Sequence, residues 1–262
     1  MKWNCASPPK PRRPKRRQQT PRRRVDAVIV ERPSAARGDI HHGWLHARHS
    51  FSFGHYHDPA WMGFGPLRVI NEDVIAAGGG FAPHRHANME IVTVVLDGAL
   101  AHRDSTGNAG VIRAGDVQWM SAGFGIEHSE YNGSDAEPVH LLQIWIQPDR
   151  LNAQPAYAQQ RFDPDARRAH WATLVSPDGV EGSIAIRQQA SLRATRLLPG
   201  DAVTAALDPT RRYWLQVAAG EVAVGERVLH AGDALGLVDE GGELALRGIG
   251  ETSDVLLFDL PL

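Results

Sequence analysis

A chain of 262 residues, 42% apolar and 22% charged, is longer than one ordinary domain and favours two globular units of similar size. The single cysteine, Cys5, excludes an intramolecular disulfide framework and gives no sign of an oxidising compartment; apolar runs such as 27–30 are far too short for a membrane span, so the expected location is the cytoplasm. The formal charge of −2 is unevenly spread: residues 1–24 hold ten Lys or Arg and no acid, leaving 18 basic against 30 acidic residues, a balance of −12, in the body.

The leader from Lys10 to Arg24 lacks the apolar core of a secretory signal. It reads either as a disordered arm that meets nucleic acid or an acidic partner through phosphate-type contacts, or as sequence upstream of a start at Val25. From Val25 onward, short runs of Val, Ile and Leu are bounded by Gly, Pro and Asp, the pattern of β-structure with many turns. Strands are expected at 25–30, 67–74, 90–96, 100–103, 116–120 and 139–146, with turn chemistry at Asp97-Gly98 and Thr106-Gly107-Asn108. The Pro- and Gln-rich stretch 148–165 reads as a connection. A second β pattern then runs from 213–217 to 254–258 and echoes the first: Gly98-Ala-Leu-Ala and Ala114-Gly115-Asp116-Val117 have counterparts in Gly220-Glu-Val-Ala and Ala231-Gly232-Asp233-Ala234. Such repetition predicts two copies of one small antiparallel barrel, 25–147 and 166–262. Eleven of the thirteen histidines lie at or before His140, so the second copy is expected to be structural.

Chemistry concentrates in two segments. Residues two apart on a strand share a face with Cα atoms roughly 6.6–6.8 Å apart. His84 and His86 can therefore converge on one ion, with nitrogens at roughly 2.0–2.1 Å, while Arg85 faces the other way. A lone His-x-His is weak, because such pairs are often surface or structural residues. A second pair strengthens it: His128 and Glu130 again stand two apart, 44 residues beyond His84, and in an extended stretch both enter the same barrel mouth. Three nitrogens and one carboxylate oxygen leave coordination positions for substrate and dioxygen. Glu90 stands either as a ligand in place of Glu130 or as an acceptor that orients a ligand imidazole. His41, His42, His46, His49, His55 and His57 crowd into 38–59, but no carboxylate-bearing pair follows at strand spacing and Asp58-Pro59 breaks the chain; they read as packing or rim residues, with an accessory site as the lesser alternative.

His42-Gly-Trp-Leu, His49-Ser-Phe-Ser-Phe, Met62-Gly-Phe, Leu67-Arg-Val-Ile-Asn, the segment 84–91, Met120-Ser-Ala-Gly, Gly125-Ile-Glu-His128-Ser-Glu130-Tyr-Asn, Gln143-Ile-Trp-Ile and Leu257-Phe-Asp-Leu-Pro together resemble the pirin family of the cupin superfamily, in its bacterial quercetin 2,3-dioxygenase-like branch. The resemblance implies an all-β bicupin of two antiparallel jelly-roll barrels, with metal only in the first. It implies one divalent ion held by His84, His86, His128 and Glu130. Fe²⁺ is the first choice, and the donors also suit Zn²⁺, Mn²⁺, Co²⁺, Ni²⁺ or Cu²⁺. The activity implied is cleavage of a flavonol such as quercetin by O₂, releasing carbon monoxide and a depside, with Glu130 taking the substrate proton. The alternative is a non-enzymatic, redox-sensing regulator acting through protein partners, as eukaryotic pirins do; the acidic body is a poor surface for nucleic acid. Arg85 stands where the family commonly has Pro, and its outward side chain is expected to leave ligation intact.

Overall fold

The structure, a computed structural model, describes residues 28–262. The basic leader and the first residues of the strand expected at 25–30 lie outside the described residues. Among the described residues regular structure is β throughout, apart from three single 3₁₀ turns. In the first half the strands are β1 (Val28–Arg32), β2 (Gly38–His42), β3 (Leu45–His49), β4 (Leu67–Ile75), β5 (Gly80–His86), β6 (Glu90–Asp97), β7 (Ala99–Asp104), β8 (Ala109–Arg113), β9 (Asp116–Ser121), β10 (Ile126–Asn132) and β11 (Val139–Ile146). There follow β12 (Ala156–Arg161), β13 (Ala172–Ser176), β14 (Ile184–Ala185), β15 (Ser191–Leu197), β16 (Ala202–Leu207), β17 (Arg211–Ala219), β18 (Glu221–Val224), β19 (Arg227–His230), β20 (Ala234–Val238), β21 (Gly242–Gly248) and β22 (Ser253–Pro261).

Each unit pairs a seven-stranded with a four-stranded sheet. The first has orders β12-β9-β6-β11-β4-β3-β2 and β5-β10-β7-β8; the second has β1-β20-β17-β22-β15-β13-β14 and β16-β21-β18-β19. All pairings are antiparallel except the short β13–β14 contact. The two topologies match except at one edge, where β2 runs antiparallel to β3 but β14 parallel to β13, and the sequence echo has a backbone cause. Gly98 and Gly220, at φ +79° and +76°, turn the chain from the large sheet into the small one; Gly115 and Gly232, at φ +89° and +86°, return it. Left-handed backbone favours glycine, and a Cβ at Gly98 or Gly220 would also stand 2.6 Å from the carbonyl oxygen of Pro138 or Thr252. Asp116 and Asp233 repeat as well, each accepting a backbone N–H, from Arg113 and His230, at 2.9 Å.

The units exchange edge strands, which corrects two sequence expectations. The strand expected at 25–30 falls by sequence in the first unit; it is β1, and it lies along β20 at the edge of the second unit's large sheet. The stretch 148–165, read as a connection, carries β12, which pairs with β9 and closes the first unit's large sheet. Period-2 alternation identifies a strand without naming the edge it meets, and each borrowed strand covers an edge that would otherwise be open.

The largest apolar cluster lies between the two large sheets, not inside either unit. Val92, Leu142 and Ile144 from the first meet Leu192, Leu256 and Phe258 from the second. This is why β6 reads as an almost unbroken apolar run, Ile91-Val92-Thr93-Val94-Val95: one face lines its own barrel and the other the interface, and all five residues are buried. Trp214, fully buried, holds the centre, 4.9 Å from Phe51, 5.3 Å from Phe64 and 6.3 Å from Trp61 between ring centroids. No helix among the described residues is long and apolar enough to cross a membrane.

Because Trp214 belongs to the second unit and its aromatic neighbours to the first, Trp214→Ala is expected to cost about 3–5 kcal/mol, with both units lost in a single urea transition. Two resolved transitions in the unaltered protein, or a loss below about 1 kcal/mol in the variant, would contradict a core shared between the units.

Candidate metal centre

The centre is built on β5, an edge strand, and its neighbour β10. Their register sets His84 opposite His128 and His86 opposite Ile126, then shifts, so that Glu130 pairs with Phe81. The extra residue falls on β5 between Phe81 and His84, where Pro83 sits. Proline lacks a ladder donor and is tolerated at an edge bulge of this kind. Arg85 faces outward, as expected, and its Nε donates to Glu127, its cross-strand partner, at 2.9 Å.

The three imidazoles converge. Their ring centroids stand 4.4–4.9 Å apart, and one potential ligand atom from each lies within 4.8 Å of the others. His84 Nδ1 donates to the Ala82 carbonyl at 2.9 Å, which fixes its proton and leaves Nε2 with a free lone pair. Buried His86 Nε2 and both nitrogens of buried His128 have no protein partner. Leaving such atoms unsatisfied costs about 1–3 kcal/mol each. A cation that takes the lone pairs relieves that cost, so the donor chemistry fits a late first-row divalent ion. At His86 and His128 protonation does not compete near neutrality in the metal-free protein: burial, then the His84 charge, holds His86 down at about 4. Burial, then His84, His86 and His102, holds His128 at about 2.

Glu130 faces the same cavity but stands outside the group of three donors that meet within 4.8 Å. Its carboxylate accepts from Gln143 Nε2 at 3.1 and 3.4 Å. Burial, with the Asp73 charge adding to it, pushes its carboxyl up to about 8. The cavity, about 240 Å³, has aromatic walls from Phe53, Phe81 and Trp145 and a polar side formed by Asn71, Asp73, Glu130 and Gln143. Asn71 Oδ1 and Asp73 Oδ1 are buried there without partners.

Glu90, left open by sequence, proves to be neither ligand nor imidazole acceptor. Its buried carboxylate accepts from Trp119 Nε1 at 2.9 Å, Ser121 Oγ at 2.5 Å and the backbone N–H of Arg187 at 3.0 Å, which ties the start of β6 to the second unit. Of the crowded histidines, His55 and His57 are exposed, His49 is buried edge-on against Phe53, and His41 and His46 gather at Asp39 on the β2–β3 hairpin. Sequence reasoning passed over Asn71, Asp73, Gln143 and His102. His102 points inward from β7, 5.3 Å from His128 and stacked at 5.1 Å on Tyr157 of β12; the alternation Leu100, His102, Asp104 carried that signal.

In the second unit, counting from the first pair of each ladder, Ala205 and Leu244 stand where His84 and His128 stand in the first, and Leu207 where His86 stands. These residues belong to an aliphatic cluster, and that interior holds no comparable ligand set among the described residues.

Comparison with known proteins agrees with this architecture. The Pirin family profile matches residues 30–146, and the profile described as quercetinase C-terminal cupin domain matches 173–260. A quercetin 2,3-dioxygenase of Escherichia coli (strain K12) is 43% identical over 234 residues, covering 89% of this chain and 99% of the relative. The crystal structure of YhhW from Escherichia coli is similar with a TM-score of 0.85 at 43% identity, over 89% of this chain and 98% of that one. A structure of bacterial pirin YhhW in complex with nickel(II), also from Escherichia coli, gives 0.84 at 42% identity, over 89% and 99%.

The buried groups set opposing pH dependences in the metal-free protein. His49, His86 and His128 fall from an ordinary 6.5 to about 4, 4 and 2, chiefly by burial, so the stability they contribute is present above 6.5 and lost as pH falls below it. Asp73, pushed by burial from 3.8 to about 7, and Glu130, pushed from 4.5 to about 8, contribute stability present at low pH and lost as pH rises towards 7 and 8. Three imidazoles outweigh two carboxyls on the acid side, so the melting temperature of chelator-treated protein is expected to peak near pH 6.5. A steady rise from pH 6.5 to 8 would contradict the buried, protonated carboxyls.

Proposed function

This chain belongs to the pirin family, and from that membership we propose that it is a metal-dependent dioxygenase that opens a flavonol such as quercetin with O₂. The observation that carries the reading is the meeting of three imidazoles beside an aromatic-walled cavity that also contains the buried carboxyl group of Glu130. On this reading His84, His86, His128 and Glu130 hold one divalent ion. Fe²⁺ is the first choice, and the nickel(II) complex of the Escherichia coli relative supports a centre of this type accepting other divalent ions. Fold alone does not choose a substrate; the walls and the polar groups support a flat, hydroxylated aromatic one.

When bound, the ion supplies Lewis acidity towards a substrate hydroxyl and the redox partner for dioxygen. The remaining work falls to side chains. Phe53, Phe81 and Trp145 clasp the ring system and exclude water. With a cation bound, whose charge would offset the burial that keeps Glu130 protonated in the metal-free protein, Glu130 accepts the proton of the reacting hydroxyl, and Gln143 holds its carboxylate in place through the Nε2 bonds at 3.1 and 3.4 Å. Asn71 Oδ1 and Asp73 Oδ1 receive further substrate hydroxyl groups, which gives two partnerless buried acceptors a use. We place the activity in the cytoplasm, with small-molecule substrate and O₂ as its partners.

Protein loaded in turn with Fe²⁺, Mn²⁺, Co²⁺, Ni²⁺ and Cu²⁺ and mixed with quercetin in air tests the proposal. Loss of flavonol, uptake of oxygen and release of carbon monoxide are expected together. His84→Ala is expected to lose activity and most of the bound metal, while His57→Ala keeps both. Absence of turnover with every ion would favour the regulatory role instead, and equal metal loss in the two variants would overturn the ligand assignment.

A further inference from the structure

The histidine-rich stretch 38–59 is not absorbed by the buried centre, and part of it forms a second donor cluster. Strands β2 and β3 make a hairpin closed by the two-residue turn Gly43-Trp44, with Gly43 at φ +58°, as a tight hairpin turn requires. Its register sets His41 directly opposite His46, and places Asp39 two residues from His41 on the same face. The two imidazoles stack nearly parallel, centroids 4.1 Å apart and planes 14° from one another. Both Nε2 atoms approach the same carboxylate oxygen, Asp39 Oδ1, at 2.8 Å from His46 and 3.5 Å from His41.

We propose that His41, His46 and Asp39 form a second, exposed site for a late first-row divalent cation such as Zn²⁺, Ni²⁺ or Cu²⁺. Donors around a tetrahedral ion with bonds of about 2.0–2.2 Å stand roughly 3.3–3.6 Å apart. The three donor atoms already lie within 4.8 Å of one another, and rotation of the exposed, stacked rings about their side-chain bonds would turn both Nε2 lone pairs towards a shared ion. Two imidazoles and one carboxylate select late transition ions over Mg²⁺ or Ca²⁺, which prefer all-oxygen shells. Three ligands leave at least one position to water, and the side chains of His41 and Asp39 are exposed, so this site binds more weakly than the buried one. Arg48, the cross-strand partner of Asp39, has Nη2 3.8 Å from Asp39 Oδ2 and competes for the same carboxylate. The hairpin also lies against the cavity wall: Trp44 packs edge-on to Phe81 at 5.0 Å, and Phe81 lies 6.3 Å from His84. The proposal stands on the hairpin alone and does not depend on how the buried centre is read.

Calorimetric titration of tag-free full-length protein with Zn²⁺, after one equivalent has been loaded, is the test. A second, weaker equivalent is expected. His41→Ala and His46→Ala should each weaken it at least tenfold, Arg48→Met should tighten it severalfold, and His55→Ala should leave it unchanged, with unaltered melting temperatures showing that each variant is folded. If the buried centre failed to load, a single weak equivalent abolished by His41→Ala would still uphold the hairpin site. Absence of any binding beyond the first equivalent, or binding that survives both histidine substitutions, would reduce the cluster to a surface ion pair and overturn the proposal.

Discussion

The first barrel is arranged around three imidazoles that meet, two of which, His86 and His128, bury ring nitrogens that no protein group satisfies. Their convergence is a property of register. Antiparallel pairing of β5 with β10 sets His84 opposite His128, and a slip of one residue would send both β5 histidines outward and bring Arg85 in. Several features hold the register: the bulge at Pro83, the Arg85–Glu127 bond on the outer face, and Ile126, buried in a small apolar cluster with Ile91, Met120 and Ala122. The burial that orphans the nitrogens also keeps His86 and His128 unprotonated, so one environment supplies both the need for a cation and the lone pairs to bind it.

The second barrel explains what the first can dispense with. Its interior is filled by aliphatic side chains, including Ala205, Leu244 and Leu246, where its counterpart places polar and ionisable groups. Buried polar groups such as Asn71, Asp73 and Glu130 weaken a core, and the two large sheets offset this by sharing an extensive apolar interface centred on Trp214. The exchanged strands β1 and β12 and the Glu90 network bind the same two units by backbone and polar bonds. The borrowed β12 also reaches the centre, because Tyr157 stacks on His102 beside His128.

Much of this was legible in the chain. Turn glycines with forced left-handed backbone betrayed the duplication, since Gly98, Gly115, Gly220 and Gly232 are dictated locally. His-x-His and His-x-Glu were legible because period-2 geometry is also local. Partnership between distant segments was not: β1 and β12 looked like a strand of the first unit and a linker because alternation is silent about which edge a strand joins. Glu90 was ambiguous for the same reason, its partners Trp119, Ser121 and Arg187 being 29, 31 and 97 residues away. Asn71, Asp73 and Gln143 sit in strands that read as ordinary β, and only the closed barrel turns them towards the cavity. The exposed triad was not legible because a His-rich run with no carboxylate pair after it carries no metal-site spacing; its carboxylate, Asp39, precedes the histidines and meets His46 only through the hairpin register.

Anomalous diffraction from crystals of the metal-loaded protein, collected at the absorption edge of the bound ion, tests the central claim most directly. One strong buried peak should lie within about 2.0–2.3 Å of a nitrogen from each of His84, His86 and His128. The lack of such a peak, or imidazoles satisfied by water alone in metal-replete crystals, would contradict it.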